Sequence, residues 1–276
     1  MPAHFFAMVV AELRAVFARG SGLGAVVVSL LIGVLTTAVM FWVYSNAGDA
    51  QINGGSIDGF VQFSGPNCAG WALTARNFLI LPLLLLLATG GTLAGELGDS
   101  TLREVLVRPV SRWSVLFAKL LALMTLSAVC LLATLIPSLI GGAALFGMEG
   151  PWVDLLLGYA ASLGTDLGII SFGLLASTVV RSVGGVVVSV VLLLIFDGGA
   201  RLLLWGREKL LDMMRASQGD YTDAVVHYSQ LLPGAALDCW KGWADGWAWE
   251  PFVGLAVLVT ICLTATLVRF NRMDIG

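Results

Sequence analysis

Residues 114–136 read SVLFAKLLALMTLSAVCLLATLI, a run with one charge, Lys119, and no recurring polar stripe. A soluble helix keeps a polar face; this one has none to offer. As a helix at ~1.5 Å per residue the run is ~35 Å long, enough to cross a hydrocarbon core ~30 Å thick. Five more runs qualify: roughly 22–44, 72–95, 153–179, 183–205 and 251–269. Composition agrees. Apolar residues make up 58% of the 276 and charged residues 12%, too few to coat a soluble fold of this size. Mean hydropathy is +0.91. The fold class is therefore all-α: a polytopic membrane protein with six transmembrane helices, forming a single transmembrane domain over 1–276.

Charge placement orients the spans. If the N-terminus is cytoplasmic, the inner segments hold Arg14, Arg19, Arg103, Arg108, Arg112, Lys119, Arg181, Arg269 and Arg272, while the outer loops at about 45–71 and 137–152 hold no Lys or Arg. By the positive-inside rule both termini are cytoplasmic. Tryptophan prefers the membrane–water interface, and Trp42, Trp71, Trp152, Trp205, Trp240, Trp243, Trp247 and Trp249 all fall at the outer side. Only Trp113 falls at an inner end. Residues 1–20 carry Phe5, Val9, Leu13 and Phe17 at helical spacing, with Glu12, Arg14 and Arg19 elsewhere on the wheel. They read as an amphipathic helix on the membrane face, not as a cleaved signal peptide. The last outer segment, 206–250, reads as helical over 207–217 and 221–232. After Pro233-Gly234, Trp240, Trp243 and Trp247 at i, i+3 and i+7 predict a short aromatic helix in the outer interface.

Soluble-enzyme motifs are absent. A Walker phosphate loop needs Gly-Lys-Ser/Thr, but Lys119, Lys209 and Lys241 are followed by Leu, Leu and Gly. His4 and His227 cannot form a His-Glu-x-x-His zinc site, and the four cysteines form no Cys-x-x-Cys pair. No catalytic residue, metal site or cofactor is expected in this chain, and its charge of −3 does not suggest nucleic acid. The informative stretch is the inner loop 96–113, ELGDSTLREVLVRPVSRW. Thr101 and Glu104 make a capping box, Pro109 ends the short helix it opens, and Ser111 can cap span three. Lys119 then lies a turn or two inside, with its ammonium snorkelling back toward the headgroups. A compact charged helix between two spans suits a docking surface.

The acidic residue ending span two, the Ser-Thr-Leu-Arg, the Arg-Pro-Val-Ser-Arg-Trp and the Lys inside the next span resemble the permease subunits of bacterial ABC-type exporters. The class meant has six spans and a separate ATPase chain. Ala11-Glu12-Leu13-Arg14 resembles the elbow helix that opens those permeases. The resemblance implies a non-catalytic subunit of an ATP-driven exporter in the bacterial inner membrane. It also implies pairing with a second permease copy or related chain, among membrane lipids, with cytoplasmic ATPase subunits that bind ATP and Mg. In that family the loop after span two is the coupling helix. By likeness Glu96, Thr101, Arg103, Glu104, Arg108, Pro109 and Arg112 would transmit ATP-driven closure. Ser100 stands where Gly is commoner.

Ionisable groups inside spans need partners or a purpose. Asp166, flanked by Gly164 and Gly168, is read as a hydrogen-bonding group at a helix interface; lining a path or binding a cation is the other reading. Asp197 and Arg201, four apart, can pair. Arg76 near the outer end of span two is expected to snorkel outward. Pro82 should kink that span. Cys130 and Cys262 read as packing residues, whereas Cys68 and Cys239, both outer, are candidates for a disulfide. The alternative function is an ion-coupled secondary transporter titrating Asp166; a membrane-embedded enzyme would need an acid–base pair at one depth, which the chain lacks.

Overall fold

A computed structural model describes residues 2–47, 51–52, 55–56, 63–78, 80–99, 111–218 and 232–272. The helices are α1 (Pro2–Ala18), α2 (Gly20–Ala47), α3 (Gly65–Phe78), α4 (Ile80–Gly98), α5 (Arg112–Phe146), α6 (Trp152–Val179), α7 (Val183–Gln218), α8 (Pro233–Ala236), α9 (Gly242–Asp245) and α10 (Glu250–Arg272), with a 3-10 turn at Cys239–Lys241. The described strands are a two-rung ladder, Gln51 opposite Ser56 and Ile52 opposite Gly55. Six helices are long and apolar enough to cross a membrane: α2, α4, α5, α6, α7 up to Arg207, and α10. This is the all-α polytopic architecture that the apolar runs require.

The second run is described in two pieces, α3 to Phe78 and α4 from Ile80, with Leu79 outside the described residues. Pro82 lies in the first turn of α4, where its missing N–H leaves no bond within that helix unmade. Pro137 does not break α5, which runs on through Phe146. The hydroxyls of Thr134 and Ser138 donate to the Cys130 and Thr134 carbonyls around it, and Gly33 of α2 lets Thr134 and Pro137 approach closely. The chain leaves α5 at Gly147, whose φ of +87° is left-handed backbone that glycine adopts without strain.

Helices α5 and α6 are central, with 61% of their most apolar stretch buried, whereas α7 has 11% buried and forms the rim. Two apolar clusters stack along the bundle. One gathers Leu81, Leu85, Leu123, Leu126, Ile169, Leu174 and Phe270; the other gathers Leu73, Leu131, Leu155, Tyr159, Trp240 and Leu255. At the first cluster's end sit Glu12, Glu96, Arg112 and Arg269 (the basic end). At the second sit most tryptophans (the tryptophan end).

The expected aromatic helix at 240–247 is corrected. Trp240 lies in the 3-10 turn, Trp243 in α9, and Trp247 follows Gly246, whose φ of +91° interrupts the helix. Trp240 and Trp243 turn into the bundle, while Trp247 stays at its surface. Trp240 is buried, Trp247 donates from Nε1 to Asp154 (3.0 Å), and the Trp243 ring fills the space above Gly70 and Gly158. A methyl group at Gly70 would lie 2.5 Å from that ring. Gly70→Ala should therefore lower stability by ~1–3 kcal/mol through overpacking. Thermal unfolding in detergent checks this, and Trp243→Ala in the same chain should recover part of the loss. Residues 221–231 lie outside the described residues, while 207–217 continue α7 as a helix, as their spacing predicts.

Candidate coupling site

The basic end is built around one buried ammonium. Lys119 sits two turns inside α5, its side chain 0% exposed, and Nζ lies 2.9 Å from Glu12 Oε1 and 2.7 Å from Glu96 Oε2. Arg19 Nη2, at the bend between α1 and α2, holds the other Glu96 oxygen at 2.9 Å. Two acids and two bases from α1, the bend, α4 and α5 thus form one neutral cluster. Lys119 does not snorkel: with two carboxylates at its own depth, the ammonium has no need of the headgroups. A tight bend makes the cluster reachable, for a side chain at Gly22 would run into the Val16 carbonyl.

Glu96 and Arg112 bracket the inner loop, and both are held. Arg112 Nη1 donates to the carbonyls of Phe270 (2.9 Å) and Asn271 (3.1 Å), which end α10. Arg269 Nε donates to Thr178 O (3.2 Å) in the last turn of α6. A helix C-terminus leaves carbonyls without intrahelical partners and carries partial negative charge, so both contacts satisfy acceptors and oppose the dipole. Ser111 Oγ accepts from the Ser114 amide (3.2 Å) and caps α5. Between these anchors, Thr101, Arg103, Glu104, Arg108 and Pro109 lie outside the described residues.

A second polar layer crosses the bundle between the two apolar clusters. Arg76, expected to snorkel outward, is instead wholly buried. Its Nη2 reaches Asp166 Oδ2 at 2.7 Å and its Nη1 reaches Asn77 Oδ1 at 2.6 Å and Ser162 Oγ at 3.1 Å. Ser127 Oγ also donates to Asp166 Oδ2. The guanidinium lies among acceptors from its own helix and α6, and a partnered charge in a buried site needs no excursion to water. The layer ties α3, α5 and α6 together. On α6, Leu255 of α10 fits against Gly164 and Gly168, where a Cβ would lie 3.0 and 2.9 Å from its methyls.

Two further expectations change. Arg201 meets Asp238 (3.1 Å), which also takes Lys241 (3.1 Å), while Asp197 Oδ2 accepts the Gly234 amide at 2.9 Å and so caps α8. Asp197 thus satisfies an amide at the start of a helix 37 positions on, in place of the neighbour on its own turn. The disulfide is also corrected: Cys68 and Cys239 are free and buried. Cys68 Sγ faces Thr37 of α2 (3.6 Å) and Cys239 Sγ faces Thr165 of α6 (3.4 Å), so the thiols point to different helices. Burial pushes both thiols above their ordinary value. Neither should react with a maleimide until the chain is denatured, and non-reducing and reducing gels should match.

Sequence reasoning had Glu96 and Asp166 but not their partners. The missed signal was arithmetic: Glu12, Lys119 and Arg76 are isolated charges on apolar stretches, and each needed an opposite charge from another helix.

A family model described as ABC-2 family transporter protein matches residues 74–275. The chain belongs to the ABC-2 transporter family. The match begins within α3 and runs through α10, so it takes in the inner loop, the Arg76–Asp166 layer, and Glu96 and Lys119 of the basic-end cluster, while Glu12 and Arg19 precede it. A comparison with curated proteins returns no match. Six apolar helices fit the transmembrane subunit of an ABC-2 transporter, and the ionic cluster sits beside this chain's own loop between the second and third of them.

Proposed function

We propose that this ABC-2 chain is the non-catalytic permease of an ATP-driven exporter in the bacterial inner membrane. It pairs with a second permease copy, its termini are cytoplasmic, and separate ATPase subunits bind ATP and Mg. The observation that carries this reading is the anchoring of both ends of the 96–113 loop: Glu96 into the Lys119 cluster, and Arg112 onto the end of α10. A load applied to that loop reaches α1, α4, α5 and α10 together. The basic side chains at this end support a cytoplasmic placement under the positive-inside rule. Glu96, Thr101, Arg103, Glu104, Arg108, Pro109 and Arg112 are the proposed coupling residues. The Arg76 and Ser127 contacts of Asp166 favour an architectural role for it over a titrating one in a secondary transporter.

The test is co-purification with the ATPase encoded beside it. Reconstituted complexes should hydrolyse ATP, and Arg103→Ala with Glu104→Ala should uncouple hydrolysis from substrate movement while assembly persists. An ion-driven flux that needs no ATPase, and stops in Asp166→Asn, would replace this reading.

A further inference from the structure

An open groove of about 740 Å³ runs between α6 and α10, lined by Leu175, Ile261, Ala265, Val268 and two threonines, and it ends at Arg269 and Arg272. We propose that it holds one anionic phospholipid of the basic-end leaflet, an acyl chain along α10 and its phosphate between the two guanidinium groups.

Length is the first reason. From Thr260 to Arg272 the lining runs over 12 residue steps of α10, about 18 Å at ~1.5 Å per residue, close to half of a ~30 Å hydrocarbon core. The groove therefore spans one leaflet and stops at the headgroup level. Its volume falls in the ~300–1,000 Å³ range of small-molecule sites.

Chemistry is the second. The walls are apolar over most of their length, and the Thr260 hydroxyl is already spent on the Ala256 carbonyl (2.7 Å). Charge appears only at the headgroup end. Arg269 and Arg272 are three apart on one helix, hence on one face. Among the described residues neither has an ion-pair partner. Arg269 is steadied through Nε at Thr178 O (3.2 Å), which leaves both Nη groups to meet an oxyanion. A guanidinium presents paired N–H donors that match phosphate oxygens, and a basic recess between spans at this depth suits an anionic headgroup. A second protein helix seated here would have to bring a carboxylate to two arginines with no ion-pair partner among the described residues; a phospholipid brings its own anion and chain in one molecule.

The experiment uses the full-length chain in nanodiscs of phosphatidylcholine with a minor fraction of phosphatidylglycerol, and native mass spectrometry of the lipid retained. Phosphatidylglycerol should be retained and phosphatidylcholine not. Arg269→Gln with Arg272→Gln should weaken retention by about tenfold or more. Arg14→Gln, which removes one exposed charge on α1, should leave it unchanged. Ala265→Phe keeps both arginines but fills the groove, and should weaken retention too. Millimolar inorganic phosphate should not compete. Equal retention of the two lipids, equal loss in Arg14→Gln, or competition by free phosphate would each overturn the proposal. So would a Thr264→Cys variant that cross-links to a second copy of the chain.

Discussion

Lys119→Ala should destabilise the protein by ~3–5 kcal/mol, the cost of removing one partner from a buried ion pair. Among the described contacts, the substitution deletes the one side chain that reaches both Glu12 and Glu96, whose side chains are 13% and 17% exposed. Arg19 still holds one Glu96 oxygen, but Glu12 has no other charged partner among the described residues, and its Oε2 is already unpaired. Two acids left facing each other in a dry pocket would separate α1 from α4. The expected readings are a lower melting temperature in detergent and lower membrane yield. Lys119→Ala with Glu12→Gln should recover part of the loss, since one uncompensated anion goes with the cation. A Lys119→Ala melting curve equal to the unaltered protein's would show that the cluster carries no net stabilisation.

Asp166→Ala should cost as much, ~3–5 kcal/mol, for the mirrored reason: a guanidinium with no exposure would lose the one carboxylate it meets among the described residues. The remaining oxygens around Arg76, from Asn77 and Ser162, are neutral and cannot offset its charge. Arg76→Met with Asp166→Leu removes both charges and keeps the volume filled. Buried pairs replaced by apolar residues are often neutral or stabilising, so the double variant should melt near the unaltered protein while each single change falls well below it. If the double variant transports normally, the pair is architectural. If it folds but transports nothing, the charges act in the passage of substrate.

Much of this fold could be read from residues alone because membranes simplify the physics. A run such as 114–136 has one option in lipid, since backbone groups must bond within the helix. The capping of α5 by Ser111 follows from a single residue. What could not be read was which charge meets which. Arg76 and Asp166 are 90 positions apart, Glu12 and Lys119 107 apart, and no local rule relates them. Snorkelling was the reading available for a lone cation near a span end, and it failed where two helices supplied anions at the same depth. The tryptophans misled for a similar reason: their helical spacing was real, but Gly246 and the open space above Gly70 and Gly158 decided the packing.

The same separations order the making of the protein. Glu12 leaves the ribosome 107 residues before Lys119, and Arg76 leaves 90 before Asp166. Until those counter-charges arrive, Glu12 on α1 and Arg76 on α3 lack the partners they hold in the folded bundle, and an unpartnered charge is costly in lipid. Neither helix is one of the six spans, so both can stay at the water interface until α5 and α6 emerge. Each charge pair thus docks an early helix onto a later span.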